Sequence, residues 1–452
     1  MRGDLTRGPI APALLRFAWP FMVGNLLQQC YNIADTLIVG RYLGSDALGA
    51  VGSSYTLMTF LTSILLGLSM GSGVFFSICW GQGQRERLRR GIVLSFGLIA
   101  LVTAVLNVLV FVFLQPILTL LQVPDECRGL MAAYLFVIFF GIAATFLYNF
   151  FACLLRALGN SVAPLLFLAV AAVLNIGLDL VFVLVFHWGV AGAAAATVIA
   201  QYVSGLGLGI YAWIRCPEIR IRRQDLRYDR GDMAEILRLS SLTSVQQSVM
   251  NFGILMVQGR VNSFGPAVMA AFAAAVKIDS FAYMPVQDFG NAFSTFVAQN
   301  FGAEKRERIR DGVRSAVLTS TVFCLFISAA VFLLARPLMG IFVEPGETEI
   351  LDIGQAYLRI EGSFYCLIGL LFLLYGYYRA VRRPGMSVVL TVISLGARVA
   401  LAYGLSAIPA IGVTGIWMSV PIGWFLADAV GVACDKVWHP NRLNNPQNRR
   451  GA

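Results

Sequence analysis

Twelve apolar stretches, each long enough to cross a lipid bilayer as a helix, make up most of this 452-residue chain. A transmembrane helix needs about 20 predominantly apolar residues. Six stretches lie in the first half of the chain and six in the second, near residues 14–40, 47–79, 91–115, 130–155, 162–186, 189–214, 235–261, 266–298, 313–335, 353–378, 386–408 and 412–434. Only 13% of the residues are charged, against about 25% in soluble proteins. We therefore expect an all-α integral membrane protein with twelve transmembrane helices.

Basic residues are concentrated on one side of these stretches. The amino end, every second loop and the carboxyl end together hold 27 of the 34 Lys and Arg residues. Cytoplasmic loops of membrane proteins carry such an excess. The pattern predicts a multi-pass protein of the plasma (inner) membrane with both termini in the cytoplasm. The formal net charge of +10 is explained by this topology, so we predict no nucleic-acid partner.

The second half of the chain repeats sequence patterns of the first half. RERLRRG at 85–91 returns as RERIRDG at 306–312, and GVAG at 189–192 returns as GVTG at 412–415. Each copy holds six apolar stretches, so the two copies have the same orientation, and parallel repeats of this kind enclose a central substrate site in transporters. We predict two parallel six-helix repeats around a central cavity. The predicted divisions are a first lobe at 1–214, a cytoplasmic linker at 215–233, a second lobe at 234–436 and a cytoplasmic tail at 437–452.

Four polar residues lie in apolar stretches of the first half and are absent from the equivalent positions of the second half. They are Asp35, Asn175, Asp179 and Thr197, and their counterparts are Ile254, Arg398, Ala402 and Val420. Asn175 and Asp179 are four residues apart, which puts them on one helix face. Carboxylate, amide and hydroxyl oxygens suit Na⁺, and two carboxylates in a shielded pocket also suit a proton. A carboxylate paired with a buried basic residue is the alternative, but the membrane part of the first lobe offers no Lys or Arg. We predict a cation site that is confined to the first lobe.

The second half carries charges of its own within the stretch at 266–298. Lys277 and Asp288 are eleven residues apart, about three helical turns, so we expect them to share a face directed at the lobe interior or the central cavity. Asp279 is expected to point elsewhere and to meet Arg398 or Glu361. Both a structural network of ion pairs and a polar cavity wall that contacts substrate are consistent with this pattern.

Enzyme classes find no support in the sequence. The chain has only two histidines, no P-loop, no GxSxG motif and no His, Cys and carboxylate grouping with the spacing of metal ligands. We predict that the protein is not an enzyme and needs no cofactor.

The chain resembles the multidrug and toxic compound extrusion (MATE) family over nearly its whole length. The resemblance rests on NIADTLIVGRYLG, LLRALGNSVAP and VLNIGLDLVF in the first half and on QNFGAEKRERIRDG and GVTGIWMS in the second. It implies an antiporter that exports amphiphilic, cationic organic compounds in exchange for Na⁺ or H⁺. It also assigns the coupling cation to Asp35, Asn175, Asp179 and Thr197, and a hinge in the first helix to Pro20. LFLLYGYYRAVRR in the tenth stretch carries no acid, so no second-lobe cation site is carried over from the branch of the family that has one.

Candidate substrate contacts follow from this resemblance and from the other polar residues of the apolar stretches. Tyr31 and Tyr134 resemble tyrosines that line the lobe in this family. The full set of cavity candidates is Gln28, Tyr31, Asn32, Tyr134, Lys277, Asp279, Gln287, Asp288 and Arg398. We expect a monomer whose partners are a small organic substrate and the lipid bilayer. The competing function is a flippase for a lipid-linked saccharide, which Lys277 and Arg398 keep open, although twelve stretches and few basic residues in the cavity argue against it.

Overall fold

The computed structural model describes residues 4–120, 125–344 and 346–436. Regular structure within these ranges is helical throughout. The α-helices, in chain order, are α1 (Ile10–Leu43), α2 (Ser45–Gly81), α3 (Arg85–Val112), α4 (Leu114–Leu120), α5 (Asp125–Ile138), α6 (Gly141–Ala157), α7 (Val162–Leu180), α8 (Gly189–Arg215), α9 (Arg230–Asn262), α10 (Pro266–Gly302), α11 (Arg306–Met339), α12 (Thr348–Gly362), α13 (Tyr365–Ala380), α14 (Pro384–Ser406) and α15 (Val413–Lys436). A π-helical turn at Val181–Val185 continues α7, and 3-10 turns at Pro217–Ile219 and Arg223–Leu226 separate α8 from α9.

The helices follow the apolar stretches predicted from the sequence. Nine helices of the described ranges are long and apolar enough to cross a membrane, and two bent pairs raise the number to as many as eleven. The bends are 45° between α5 and α6 and 52° between α12 and α13, so two stretches predicted as single helices are broken ones. The remaining stretch lies in α9, which has 33 residues but is less apolar. The predicted all-helical membrane architecture is confirmed.

The described helices form two compact units. The first comprises Met1–Ser248, Asn291–Ala316 and Arg379–Pro384, and the second comprises Val249–Gly290, Val317–Tyr378 and Gly385–Ala452. These units follow packing, whereas the predicted lobes follow the sequence repeat, so the two divisions need not coincide. The lobe boundaries at 214 and 234 stay a prediction, and the predicted tail at 437–452 lies outside the described residues.

The predicted linker is folded into the first unit. Arg89 Nε lies 2.8 Å from Asp225 Oδ2, and the two side chains are only 8% and 3% exposed. Arg87 contacts Asp232 and Glu235, which begin α9, at 2.7 Å each. Because these acids meet arginines at the start of α3, the linker is anchored along its length.

Aromatic rings fill the core of the second unit. Phe272 and Trp417 stack with their ring centroids 5.5 Å apart, and Tyr357 meets Trp417 edge-on at 5.0 Å. The three rings tie α10, α12 and α15 together.

Candidate cation site in the first unit

Three helices of the first unit bring the predicted cation ligands together. Asp35 lies on α1, Asn175 and Asp179 on α7, and Thr197 on α8. The carboxyl groups of Asp35 and Asp179 lie within hydrogen-bonding reach of each other. Asn175 Nδ2 donates a hydrogen bond to Thr197 Oγ1 at 3.2 Å. The four residues therefore form two contacting pairs, and α7 carries one member of each pair.

The local structure of α7 explains how its two polar side chains are presented. Asn175 and Asp179 are 2% and 0% exposed, as expected for residues four apart on one buried helix face. The π-helical turn begins at Val181, two residues after Asp179. Such turns occur frequently at functional sites of helical proteins.

The oxygens of this site lack hydrogen-bond donors. Asp35 Oδ1, Asn175 Oδ1 and both carboxyl oxygens of Asp179 are buried, and no donor of the described residues reaches them. Buried polar atoms are nearly always satisfied in folded proteins, so each exception calls for an explanation. Two carboxyl groups in contact satisfy one another only when they share a proton or bind a cation together. The oxygens present fit either H⁺ or Na⁺.

The carboxyl pair has no basic partner among the described residues. No Lys or Arg side chain of these residues acts electrostatically on Asp35 or Asp179. A structural ion pair therefore does not account for these two acids. In the part of the chain that the structure describes, no three His, Cys, Asp or Glu residues cluster in a way that could hold a metal ion. The site consists of two acids and two neutral side chains.

An internal cavity of about 100 Å³ adjoins the site. Asn175 and Thr197 line it together with the predicted substrate contacts Gln28 and Tyr31. Polar side chains that the sequence analysis did not single out complete the lining, namely Thr145, Tyr148, Asn149, Gln201 and Ser204. A cavity of this volume holds a few water molecules, which is enough to hydrate an ion at the site.

Tyr134, one of the two predicted tyrosines, lies near the carboxyl pair. Tyr134 is 7% exposed and interacts electrostatically with Asp35, Asp179 and Tyr31. Asn32 is half-buried and lies outside the lining of the cavity. Tyr31 therefore lines the cavity and Tyr134 lies near both acids, while the role of Asn32 as a substrate contact stays a prediction.

Lys277 and Asp288 of the second unit differ in their exposure. Lys277 is exposed, with Nζ 5.9 Å from the centre of the Phe342 ring, whereas Asp288 is 3% exposed. Eleven residues of helix span about 16 Å. Lys277 and Asp288 therefore have different neighbours, although they lie on the same face of α10. Lys277 does not face the interior of the second unit, and its orientation toward a central cavity stays a prediction. Gln287, beside Asp288, is half-buried.

A second polar cluster surrounds Asp279. Tyr365 donates a hydrogen bond to Asp279 Oδ1 at 2.7 Å, and Tyr357 donates one to Glu361 Oε2 at 2.9 Å. Arg398 interacts electrostatically with both acids. Asp279 thus lies with Arg398 and Glu361, away from Lys277, and the tyrosine donors are contacts that the sequence analysis missed.

The sequence analysis also missed Asp428 on α15. It is 4% exposed, and no hydrogen-bond donor of the described residues reaches either of its carboxyl oxygens. The equivalent position of the first half is Gly205. A comparison of the two repeats in both directions would have found this acid, because it is present in the second copy only.

The fold and this site define a class of protein. Polar and acidic side chains buried within spanning helices, beside an internal cavity, are typical of membrane transporters. The MatE family model matches residues 20–181 and 240–404, once in each half of the chain. The chain belongs to the MatE family, which is a family of transporters and not of enzymes.

Relatives and solved structures resemble the chain along most of its length. It is 30% identical to the probable multidrug resistance protein YpnP of Bacillus subtilis, over 86% of this chain and 87% of that protein. It is 25% identical to the probable multidrug resistance protein NorM of Thermotoga maritima, over 91% of this chain and 89% of that protein. A solved outward-facing structure of a multidrug resistance MATE family transporter matches with a TM-score of 0.90 and 22% identity, and covers 97% of this chain and 98% of that one. The chain therefore has the twelve-helix fold of this family.

Proposed function

We propose that this protein is a secondary active antiporter that exports amphiphilic, cationic organic compounds in exchange for Na⁺ or H⁺. Two relatives that match most of its length are named as probable multidrug resistance proteins, which supports drug efflux as its task. In this proposal the protein acts as a monomer in the plasma (inner) membrane, with both termini in the cytoplasm.

The contact between the Asp35 and Asp179 carboxyl groups is the observation that carries the proposal. Two negative charges at this separation repel each other strongly where water is excluded, so the pair is stable only with a proton or a cation. An aspartate at the centre of a spanning helix costs about 2.5–3.5 kcal/mol on insertion scales. We assign Asp35 as the principal coupling residue, Asp179 as its partner, and Asn175 and Thr197 as neutral oxygen ligands.

Exchange requires that ion and substrate favour opposite states of the carrier. Asp35 lies one helical turn from Tyr31, which lines the same cavity as Asn175 and Thr197. An ionised carboxyl pair attracts an organic cation, and a pair that holds H⁺ or Na⁺ attracts it less. One charge that crosses 100 mV supplies about 2.3 kcal/mol, so a single coupling ion can drive appreciable export.

Pro20 is the proposed hinge for this exchange. It is buried within α1, which continues through it as one helix from Ile10 to Leu43. Proline removes one main-chain hydrogen bond of a helix, so α1 can bend there at a low cost when the charge of Asp35 changes.

Transport measurements in proteoliposomes test the proposal. The purified protein is given a Na⁺ gradient or a pH gradient separately, and the transport of a panel of organic cations is followed. We expect one gradient to drive transport, and we expect Asp35→Asn and Asp179→Asn to abolish it without loss of expression. Substrate affinity should fall as the pH drops or as Na⁺ rises, and this dependence should vanish in Asp35→Asn.

The matched control is Asp352→Asn, because the Asp352 side chain is 64% exposed and lies outside the site. This variant should transport like the wild type. Full ion-driven transport by Asp35→Asn or Asp179→Asn would refute the assigned site. Transport that ignores both gradients would refute antiport itself.

The flippase alternative depends on basic residues in the second unit. Arg398 interacts with Asp279 and Glu361, so its charge is compensated there. Lys277, the other residue that favours a flippase, is exposed. The panel of organic cations separates the two functions, since a saccharide-lipid flippase would not respond to these compounds.

A further inference from the structure

Asp428 is a buried acid that has no charged partner among the described residues. Both of its carboxyl oxygens are buried without a donor, and no charged side chain of the described residues acts on it electrostatically. Tyr375, itself buried, is the neighbour with which it interacts. An ionisable residue within a spanning helix is costly and marks a functional site unless it is paired. Asp428 is therefore a candidate functional site.

A groove between α13 and α15 runs over Asp428. Its volume is about 320 Å³, at the lower end of the range for small-molecule sites. The other lining residues are all apolar, namely Leu367, Leu370, Phe425, Ala429, Val432 and Ala433. Phe425 and Val432 are 57% and 36% exposed, so the groove opens on a surface of the spanning helices.

Close packing next to the groove holds its two walls in place. Tyr378 on α13 donates a hydrogen bond to the carbonyl of Gly431 on α15 at 2.7 Å. A Cβ added at Gly431 would lie 2.7 Å from Leu374 Cδ1, so the two helices touch there. Gly431 follows Asp428 by less than one helical turn, so this tight contact lies beside the groove.

The acid is not part of the repeated architecture. Its counterpart in the first half is Gly205, where an added Cβ would lie 3.0 Å from the Ala144 carbonyl oxygen. The first half packs main chain against main chain at this position, and the second half has a carboxyl group instead. A role in packing common to both repeats therefore does not explain Asp428.

We propose that Asp428 and this groove form a binding site for a lipophilic organic cation that enters from the bilayer. The carboxylate compensates the charge of the ligand, and Leu370 and Phe425 contact its apolar body. A small inorganic cation does not fit this chemistry, because it needs several oxygen ligands and the walls are hydrocarbon. The proposal does not depend on the cation site of the first unit.

A carboxyl-labelling competition tests the proposal on the full-length protein in lipid nanodiscs. Dicyclohexylcarbodiimide, an apolar reagent that reaches carboxyl groups from the lipid, is expected to modify Asp428, which peptide mass spectrometry locates. Tetraphenylphosphonium, a lipophilic monovalent cation, should occupy the site and protect it. At ten times its dissociation constant, the cation should slow the labelling about tenfold. The neutral analogue triphenylphosphine oxide should not slow it.

Three variants separate this proposal from the antiport assignment and control for non-specific effects. The competition is repeated in Asp35→Asn, where protection of Asp428 should persist, so a failure of the antiport assignment and a failure of this site are distinguishable. Asp428→Asn should bind tetraphenylphosphonium about tenfold or more weakly, because the charge partner is lost, while Asp352→Asn should bind it like the wild type. Absence of labelling at Asp428, labelling that the cation leaves unchanged, or equal protection by the neutral analogue would overturn the proposal.

Discussion

Arg87 and Arg308 occupy equivalent positions of the two repeats, 221 residues apart, and each binds at or just before the start of the first helix of the other repeat. Arg87 donates hydrogen bonds to Asp232 and Glu235 at 2.7 Å each, at the start of α9. Arg308 donates a hydrogen bond to the carbonyl of Gly8 at 2.8 Å, just before α1. Arg87 thus binds carboxylates and Arg308 binds the main chain, but both hold the start of the first helix of a repeat.

The residues beneath the two arginines follow the same symmetry. The guanidinium groups lie 5.2 Å from the ring centre of Phe75 and 5.6 Å from that of Phe296. A Cβ at Gly91 would overlap the ring of Phe75, and one at Gly312 would overlap the ring of Phe296. In both repeats, therefore, the arginine lies beside an aromatic ring that packs against a glycine.

The first prediction is that Arg89→Ala destabilises the protein more than Arg87→Ala. Arg89 is the one basic partner of the buried Asp225 among the described residues, so its loss leaves a buried charge unpaired and costs about 3–5 kcal/mol. When Arg87 is lost, Asp232 still contacts Arg90 at 3.0 Å and Glu235 still contacts Arg382 at 2.8 Å. The free energy of unfolding should therefore fall by only about 1 kcal/mol. Thermal unfolding of the solubilised variants measures the difference.

The double variant Arg89→Ala/Asp225→Ala is the control for this comparison. It should be more stable than Arg89→Ala, because it removes the unpaired charge as well as its partner. Equal unfolding temperatures for the two single variants would contradict the prediction.

A second prediction concerns the crossing of α2 and α10 in the first unit. A Cβ at Gly81 would overlap the Gln299 carbonyl, and a Cβ at Gly302 would overlap the Ile78 carbonyl. Gly81→Ala and Gly302→Ala should each lower the free energy of unfolding by about 1–3 kcal/mol, because main chain cannot move aside as a flexible side chain does. Gly97→Ala in α3, where a Cβ meets no atom within 4 Å, should be neutral or stabilise by about 0.5–1 kcal/mol. Chemical denaturation of the three variants measures these free energies of unfolding, and equal stabilities would argue against the close crossing.

The third prediction uses Thr197 to distinguish Na⁺ from H⁺ as the coupling ion. Its Oγ1 accepts the hydrogen bond from Asn175 and, in our assignment, is a neutral ligand that Na⁺ needs and a proton does not. If Na⁺ is the coupling ion, Thr197→Val should weaken the Na⁺ dependence of transport about tenfold or more, and Thr197→Ser should retain it. If H⁺ is the coupling ion, Thr197→Val should leave the pH dependence close to that of the wild type. Na⁺-driven transport that is unchanged in Thr197→Val would remove Thr197 from the site.

The fourth prediction concerns the tyrosine donors of the second unit. Tyr365→Phe fills the same space but leaves Asp279, which is 5% exposed, without its donor at 2.7 Å. The loss should cost about 1–3 kcal/mol of unfolding free energy. Tyr403→Phe is the matched control, since Tyr403 is 47% exposed, and its effect should stay within about 0.5 kcal/mol. Thermal unfolding of both variants in detergent gives the comparison, and equal shifts would show that the Tyr365 hydroxyl does not stabilise Asp279.

Much of the architecture can be read directly from the amino-acid sequence. Apolar stretches of spanning length specify helices, because a chain inside a bilayer has no water to satisfy its main-chain hydrogen bonds. The spacing of Asn175 and Asp179 places both on one buried face of α7, as the structure has them. The break between α5 and α6 was beyond reach of the sequence, because it lies within a continuous apolar run. The break between α12 and α13 falls at Gly362 and Ser363, inside a stretch that we predicted as a single helix.

Which polar groups meet across helices was decided by tertiary structure alone. The sequence puts Asp35 and Asp179 on different helices, and only packing brings their carboxyl groups into contact. The same packing buries Asp288, leaves Lys277 exposed and gives Asp428 no charged partner among the described residues. Helical periodicity fixes the face on which a side chain lies, but the neighbouring helix that covers this face depends on how the helices cross.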